Sequence, residues 1–159
     1  MSRSKVVVSW AFVVLWACFI FFMSANTGSG LNSGEGLVSA VFCALRDAQV
    51  ALLGPDTDVV SPCAHFCEYA VFGALLANAL RHHLPVRKVP VAALVCGSLY
   101  GVTDEFHQLF VPGRMCDPMD WLVDTAGAAL GSGLAYLQLR RKGREGKEQP
   151  GEGSLTEGE

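Results

Sequence analysis

The sequence predicts an all-α, polytopic membrane protein, with four transmembrane helices in a compact bundle and an extracytoplasmic amphipathic helix between helices one and two. Composition is the first reason, because 51% of the 159 residues are hydrophobic, 17% are charged and the mean hydropathy is +0.34. This balance is typical of membrane proteins. The second reason is that the hydrophobic residues form four long runs. Short polar connectors separate the last three, and the longer segment of residues 24–63 separates the first two.

The four apolar runs predict transmembrane helices at residues 6–23, 64–80, 89–110 and 119–139. The first run contains no charged residue and is long enough to cross a bilayer. It is also longer and bulkier than the apolar core of a secretory signal, which favours a retained helix over a cleaved one. Glycines in the last two runs predict close helix packing; they are Gly97, Gly101, Gly127, Gly131 and Gly133.

Residues 36–53, between the first two apolar runs, have the pattern of an amphipathic helix. The residues expected on its apolar face are Val38, Val41, Phe42, Leu45, Ala48 and Leu52, and those expected on the other side are Arg46, Asp47 and Gln49. We expect this helix to lie at the membrane interface or against the bundle. Turn-forming residues predict loops before it, at residues 24–35, and after it, at residues 55–58.

The distribution of Lys and Arg predicts the orientation. Basic residues lie before the first run, between the second and third, and after the fourth; they are Arg3, Lys5, Arg81, Arg87, Lys88, Arg140, Arg141, Lys142 and Arg144. The opposite loops contain only Arg46 and Arg114. The positive-inside rule therefore places both termini in the cytoplasm. We expect residues 1–142 to form the membrane domain and residues 143–159 a disordered, acidic cytoplasmic tail.

Ionisable residues gather at the outer ends of the predicted helices, above all within residues 103–127. Two sets have i, i+3 and i+4 spacing and so share a helix face; they are His65, Glu68 and Tyr69, and Asp104, His107 and Gln108. Glu105 projects about 100° away from Asp104, while Asp120 and Asp124 are spaced i and i+4. Asp117 precedes Pro118, which predicts a helix cap.

Three motifs resemble those of the VanZ-like family of small bacterial membrane proteins. They are H-F-x-E-Y at residues 65–69, D-E-x-H-Q-x-F-V-P-G-R at residues 104–114 and D-x-x-x-D-x-x-G at residues 120–127. The resemblance covers about residues 6–139 and implies a four-helix protein of the cytoplasmic membrane. Its founding member is associated with resistance to the lipoglycopeptide teicoplanin. The family usually has a basic residue three to four positions before the His, where this chain has Ser61 and Pro62.

The polar residues predict a functional site. The candidates for catalysis are Asp104, Glu105, His107, Arg114 and Asp120, and the candidates for binding are His65, Glu68, Tyr69, Gln108 and Asp124. His with carboxylates is a ligand set for a divalent metal such as zinc, and the candidate ligands are His65, Asp104, His107 and Asp120. A carboxylate paired with His is also a general acid/base unit. The structural alternative is that these groups pair with one another and hold the helices together.

Two functions of different classes remain open. The first is a membrane protein that lowers susceptibility to lipoglycopeptides by engaging the antibiotic's acyl chain or the membrane lipids. The second is a membrane-embedded hydrolase or transferase, with or without a metal, which acts on a lipid-linked or phosphorylated envelope precursor. A proton-coupled transporter is the weaker choice because no inverted repeat is visible. Nothing predicts nucleic-acid binding, because membrane topology already explains the basic connectors.

The cysteines, and the two histidines outside the polar motifs, do not predict a functional site. Of the six cysteines, Cys18, Cys67 and Cys96 fall within apolar runs and are expected to be small apolar filler in the interior. A disulfide among Cys43, Cys63 and Cys116 is open if all three face an oxidising compartment. His82 and His83 lie in the basic connector and are expected to be solvated.

Overall fold

The computed structural model describes residues 2–25, 37–54, 57–112, 114 and 116–148. Five α-helices account for most of them: α1 Arg3–Ala25, α2 Leu37–Leu53, α3 Val60–Leu80, α4 Val89–Gln108 and α5 Pro118–Glu148. A short 3₁₀ helix, Val86–Lys88, precedes α4, and no strand occurs in these residues. The all-α prediction is confirmed. Two helices, α1 and α3, are long and apolar enough to cross a membrane by length and composition.

Four of the helices alternate in direction. Trp16 Nε1–H on α1 donates to the Glu68 carbonyl on α3, while Asn78 of α3 lies against Ser9 near the start of α1, so α1 and α3 are antiparallel. The Tyr100 hydroxyl donates to the Ala17 carbonyl at 2.7 Å, which aligns α4 with α1. As a result, the end of α1, the start of α3, the end of α4 and the start of α5 meet at one end of the bundle.

Small residues allow α5 to pack closely against α3. A Cβ on Gly127 would overlap the Phe66 carbonyl, and a Cβ on Gly131 would overlap the Ala70 carbonyl. On the α4 side, a Cβ on Gly97 would lie 2.9 Å from the Ala128 Cβ. The predicted close packing is therefore confirmed for these glycines. It is wrong for Gly133, which has no neighbouring atom within 4 Å of an added Cβ, because this residue faces away from the other helices.

Helix α2 lies at the edge of the bundle and contacts α3. Its predicted boundaries are confirmed to within one residue. The prediction for Gln49 is wrong: this side chain is only 9% exposed, and its Oε1 accepts the N–H groups of Val59 and Val60 at 2.9 Å each. The reason is that the first N–H groups of a helix have no partner within it, and Gln49 supplies one for α3. Leu45 and Leu52, from the apolar face, remain exposed.

The connector between α3 and α4 packs against the start of α1. His82 is half-buried, and its Nε2 lies 3.3 Å from the Ser9 hydroxyl. His83 is exposed, but its Nε2 accepts a hydrogen bond from Trp10 Nε1–H at 3.1 Å. The expectation of a solvated side chain is confirmed for His83, whereas His82 is only partly exposed. The polar atoms of α1 near this end need partners, and the connector provides them.

Several expectations concern residues at or beyond the described parts. The loop predicted around residues 26–35 lies outside the described residues, as do Pro55, Asp56, Gly113 and the tail from residue 149. Helix α5 continues to Glu148, six residues into the tail predicted to begin at residue 143. Four of the six residues have good helix propensity (Arg144, Glu145, Lys147 and Glu148), and no proline occurs before residue 150, so the helix continues despite Gly143 and Gly146. No disulfide joins Cys43, Cys63 and Cys116. The expectation that Cys18, Cys67 and Cys96 fill the interior is wrong, because all three are exposed on the outer surface of the bundle.

Candidate functional site

The centre of the candidate site is a buried pair formed by His65 and Asp124. His65 lies in the second turn of α3 and is 7% exposed, whereas Asp124 lies in the second turn of α5 and is completely buried. His65 Nδ1 is 3.1 Å from Asp124 Oδ1, and an Nδ1–H donates to the carboxylate. Such a bond fixes the tautomer and orientation of the imidazole ring.

Asp104 brings a second buried carboxylate to this pair from the last turn but one of α4. It is 2% exposed, and neither of its oxygens has a hydrogen-bond partner among the described residues. Asp124 Oδ2 is likewise without a partner. One ligand atom from each of His65, Asp104 and Asp124 can be chosen so that all three lie within 4.8 Å of one another. Three different helices thus contribute to a single polar cluster.

Helix packing explains why these groups converge. Gly101 lies one turn before Asp104 on α4, and a Cβ there would lie 3.5 Å from Asp124 Cβ and 3.3 Å from Trp121 Cδ1. The absence of a side chain allows the start of α5 to approach the end of α4. The Trp121 indole N–H donates to the Ser98 carbonyl, and the hydroxyls of Ser98 and Thr125 are 2.9 Å apart. These contacts fix the register that places Asp124 beside Asp104.

Glu105 has a different environment from its neighbour Asp104. It is 4% exposed, and its Oε2 accepts the Asp117 backbone N–H at 2.8 Å. The Gln108 amide contacts Glu105 Oε1 at 3.5 Å. Asp117 Oδ1 in turn accepts the Met119 N–H at 2.8 Å, which confirms the predicted cap of α5. Glu105 therefore binds the connector between α4 and α5 and is not part of the cluster of His65, Asp104 and Asp124.

Two of the predicted metal ligands lie outside that cluster. The His107 ring packs against Phe21 of α1, with ring centroids 4.1 Å apart, and its Nδ1 is buried without a hydrogen-bond partner in the described parts of the chain. Asp120 is half-buried in the first turn of α5. Asp124, which the sequence suggests as a binding residue, lies in the cluster with His65 and Asp104 instead.

A small cavity of about 60 Å³ opens beside the cluster. It is lined by Met23, Ser24, Ser61, Ala64, His65, Glu68 and Arg114. Arg114 and Ser61 line the same cavity, and Ser61 is one of the two positions at which the resemblance implies a basic residue in the family. The cavity is therefore lined by a cationic side chain, that of Arg114, which comes from the connector between α4 and α5 and not from α3.

Tyr69 is predicted to bind a ligand, but it is completely buried among aromatic rings. Its ring centroid is 6.1 Å from that of Phe72 and 6.4 Å from that of Tyr100. Its hydroxyl has no hydrogen-bond partner among the described residues. Tyr69 thus forms part of the core beneath the polar cluster.

The chain matches the VanZ/LLP1 family model over residues 9–139. It belongs to the VanZ/LLP1 family. Comparisons with curated proteins and with solved structures found no match. The family match extends from α1 to α5 and includes every residue of the polar cluster, so the cluster lies within the family domain and not in an appended segment.

Ser24 is the residue of this VanZ/LLP1 protein that the sequence argument missed. It is 5% exposed, lines the cavity, and its hydroxyl has no hydrogen-bond partner in the described chain. The sequence contains a signal for it, because Ser24 follows an apolar run directly and marks the end of the first helix. Its position opposite His65 depends on the antiparallel packing of α1 and α3, which one sequence does not reveal.

Proposed function

We propose that this protein is a four-pass protein of the bacterial cytoplasmic membrane, with both termini in the cytoplasm, and that it lowers susceptibility to teicoplanin and similar lipoglycopeptides. The observation that carries the proposal is the family match, which spans the whole helical bundle. The four helices α1, α3, α4 and α5 are its proposed spans. The basic connectors then lie in the cytoplasm, and the polar cluster lies at the extracytoplasmic end.

An apolar groove beside the polar cluster suits the acyl chain of a lipoglycopeptide. The groove has a volume of about 460 Å³ and is formed by α2 and α3; its walls include Leu45, Ala48, Leu52, Leu53, Cys63 and Cys67. Ala64 borders both this groove and the small polar cavity that contains Arg114. An amphiphile can therefore place its acyl chain in the groove and a polar or anionic group near Arg114, which suits bidentate contacts to anions.

The test is expression in a teicoplanin-susceptible Gram-positive host. We expect the inhibitory concentration of teicoplanin to rise while that of vancomycin, which has no acyl chain, stays the same. Ala48→Trp fills the groove and should abolish the rise. Ala51→Trp is the matched control, because Ala51 is exposed on α2 and does not line the groove. Equal inhibition with and without the protein contradicts the proposal.

A second candidate function is a membrane-embedded hydrolase or transferase acting on a lipid-linked or phosphorylated envelope precursor. The observation that favours it is the buried pair of His65 and Asp124. A carboxylate that orients an imidazole is the usual partner of a general base, and His65 borders the cavity with Arg114. Ser24 lies in the same cavity and offers a hydroxyl.

Phosphate release from lipid-linked precursors, incubated with purified protein, tests this second function. We expect release with the native chain and a loss of about 10²-fold or more with His65→Gln, in keeping with the contribution of general base catalysis. The control is His83→Gln, which changes a histidine at the opposite end of the bundle. Release that is unchanged by His65→Gln contradicts this function.

A further inference from the structure

We propose that His65, Asp104 and Asp124 bind a divalent metal ion of the Zn²⁺ or Mn²⁺ class. All three side chains are buried, at 7%, 2% and 0% exposure, and one potential ligand atom of each lies within 4.8 Å of the others. This set replaces two of the ligands that the sequence suggests, His107 and Asp120. The inference does not depend on a role in lipoglycopeptide susceptibility.

The distances between the ligand atoms fit one small ion. Two ligands that each lie about 2.0–2.2 Å from zinc are separated by at most roughly 4.4 Å and more often by about 3–3.5 Å. His65 Nδ1 and Asp124 Oδ1 are 3.1 Å apart. Without the metal they are joined by a hydrogen bond. Coordination through Nδ1 therefore requires the Nε2–H tautomer of His65, and the metal ion then takes the place of the proton between the two groups. The largest separation in the set is at most 4.8 Å, so closing it to about 3.5 Å requires at most about 1.3 Å of movement, shared between two side chains.

Charge and hydrogen bonding provide an independent reason for a cation. Asp124 Oδ2 and both oxygens of Asp104 are buried and make no well-formed hydrogen bond in the described chain, although the side chains of Ser24 and Gln108 lie near Asp104. Buried polar groups normally have partners, and an unpaired buried carboxylate is costly. Two carboxylates beside a neutral imidazole carry a charge of −2, which one divalent ion neutralises.

The ligand types restrict the choice of metal. Imidazole nitrogen suits Zn²⁺ and other transition metals, while carboxylate oxygen suits both these and harder ions such as Mn²⁺. The absence of a thiolate argues against a soft metal such as Cu⁺. Three protein ligands leave a further position for water or a substrate, as in catalytic and unlike structural zinc sites. His65 borders the small cavity, which provides access to that position.

Metal analysis of the purified, tag-free, detergent-solubilised full chain tests the site. We expect the stripped protein to bind about one Zn²⁺ or Mn²⁺ per chain in calorimetric titrations. Asp104→Asn and Asp124→Asn should each weaken binding by at least about 10- to 100-fold, the loss seen even for residues that only support a ligand. Two controls should bind normally: Asp120→Asn, on the same helix as Asp124, and Asp47→Asn, exposed on α2.

A measurement on the native sequence guards against misfolded variants. Co²⁺ added to the stripped protein should give the visible absorption bands of a four-coordinate nitrogen and oxygen site, and Zn²⁺ should displace it. No Co²⁺ bands, no binding of Zn²⁺ or Mn²⁺, or loss of binding in Asp120→Asn overturns the assignment. The readout is bound metal, so failure to bind metal does not contradict a role in teicoplanin susceptibility. An unchanged teicoplanin susceptibility likewise does not contradict the metal site.

Discussion

At the scale of single residues, the most consequential feature is the concentration of carboxylates around one imidazole. Asp124 contacts His65, whereas Asp104 has no hydrogen-bond partner among the described residues. In an apolar bundle, a carboxylate that loses its partner leaves an uncompensated charge or must take up a proton. The stability of the bundle therefore depends on whether His65 and Asp124 are both present. Removing both of them should destabilise the bundle less than the sum of the two single losses predicts.

A double-mutant cycle on His65 and Asp124 tests this dependence in metal-free protein. His65→Leu leaves Asp124 buried without its partner and should lower the free energy of unfolding by about 3–5 kcal/mol. Replacing both residues with Leu removes the buried polar groups together, so the double variant should lose clearly less than the sum of the single losses. The measurement is unfolding of the protein in mixed micelles by increasing SDS. Additive losses contradict this account.

Asp117 is the residue that fixes the start of α5. Its Oδ1 accepts the Met119 N–H, and its own N–H donates to Glu105. Asp117→Ala should lower the free energy of unfolding by about 1 kcal/mol through loss of the cap. Asp117→Asn is the matched control, because Asn caps helices about as well as Asp and keeps the backbone N–H. The same SDS titration measures both, and equal losses in the two variants exclude a capping role.

The sequence predicted which residue types the site contains, but not which of them meet. Asp120 and Asp124 are one turn apart and share a face, yet only Asp124 is fully buried. One turn of helix is about 5.4 Å, and this depth separates the rim of the bundle from its packed interior. Depth depends on where α5 begins relative to α3 and α4. The hydrogen bond from the Asp117 N–H to Glu105 fixes where α5 begins. Hydrophobic periodicity contains no information about this hydrogen bond.

At the scale of helices, the glycines of α5 determine how closely it approaches α3. Gly131 has no room for a Cβ, because the Ala70 carbonyl occupies that space, whereas Gly133 has open space around it. The glycine spacing in the sequence predicts a close contact, and for Gly127 and Gly131 that prediction is confirmed. The sequence could not separate these two from Gly133, since all three have the same local propensity and only the partner helix distinguishes them.

Alanine substitutions of Gly131 and Gly133 should have different effects on the free energy of unfolding. Gly131→Ala forces α3 and α5 apart and should lower the free energy of unfolding by about 1–3 kcal/mol, the usual cost of overpacking. Gly133→Ala adds helix propensity at an open position and should be neutral or stabilising by up to about 1 kcal/mol. Thermal unfolding in detergent, followed by circular dichroism, compares the two. A larger loss for Gly133→Ala contradicts the packing described here.

Helix α2 shows how a polar residue can override an amphipathic pattern. Gln49 interrupts the surface that faces α3, because its amide serves the first N–H groups of that helix. Apolar residues such as Leu45 and Leu52 remain exposed and form one wall of the groove. An apolar helix surface without a protein partner is what an interfacial helix needs to lie in the headgroup region of a membrane. The helix boundaries follow from the sequence, whereas its orientation follows from one side-chain amide.

At the scale of the whole molecule, the alternating direction of α1, α3, α4 and α5 places most of the basic residues at one end of the bundle and the buried carboxylates at the other. The basic connectors lie at one end and the carboxylate cluster at the other, so the fold and the distribution of Lys and Arg agree with the same orientation. The apolar runs made the alternation of α3, α4 and α5 predictable from the sequence, because short connectors join these long helices. The segment between α1 and α3, residues 26–59, is longer and includes α2. The number of membrane crossings and the side of the termini remain predictions.

Cysteine labelling in intact cells tests that orientation. The chain has six cysteines, so the experiment uses variants that retain a single one. Cys116 is exposed in the connector between α4 and α5, and Arg87, at the other end of the bundle, is equally exposed and can be replaced by Cys. With both termini in the cytoplasm, a membrane-impermeant maleimide should label Cys116 in intact cells. It should label Arg87→Cys only after the membrane is disrupted.

The outcome separates three arrangements, because each connector reports one side of the membrane. Labelling of Arg87→Cys but not of Cys116 in intact cells means that the protein has the inverted orientation, and the positive-inside argument then fails. Labelling of both in intact cells means that α4 does not cross the membrane, which contradicts the four-pass proposal. The inverted result also places the cluster of His65, Asp104 and Asp124 at the cytoplasmic end. There it cannot meet an antibiotic that acts outside the membrane.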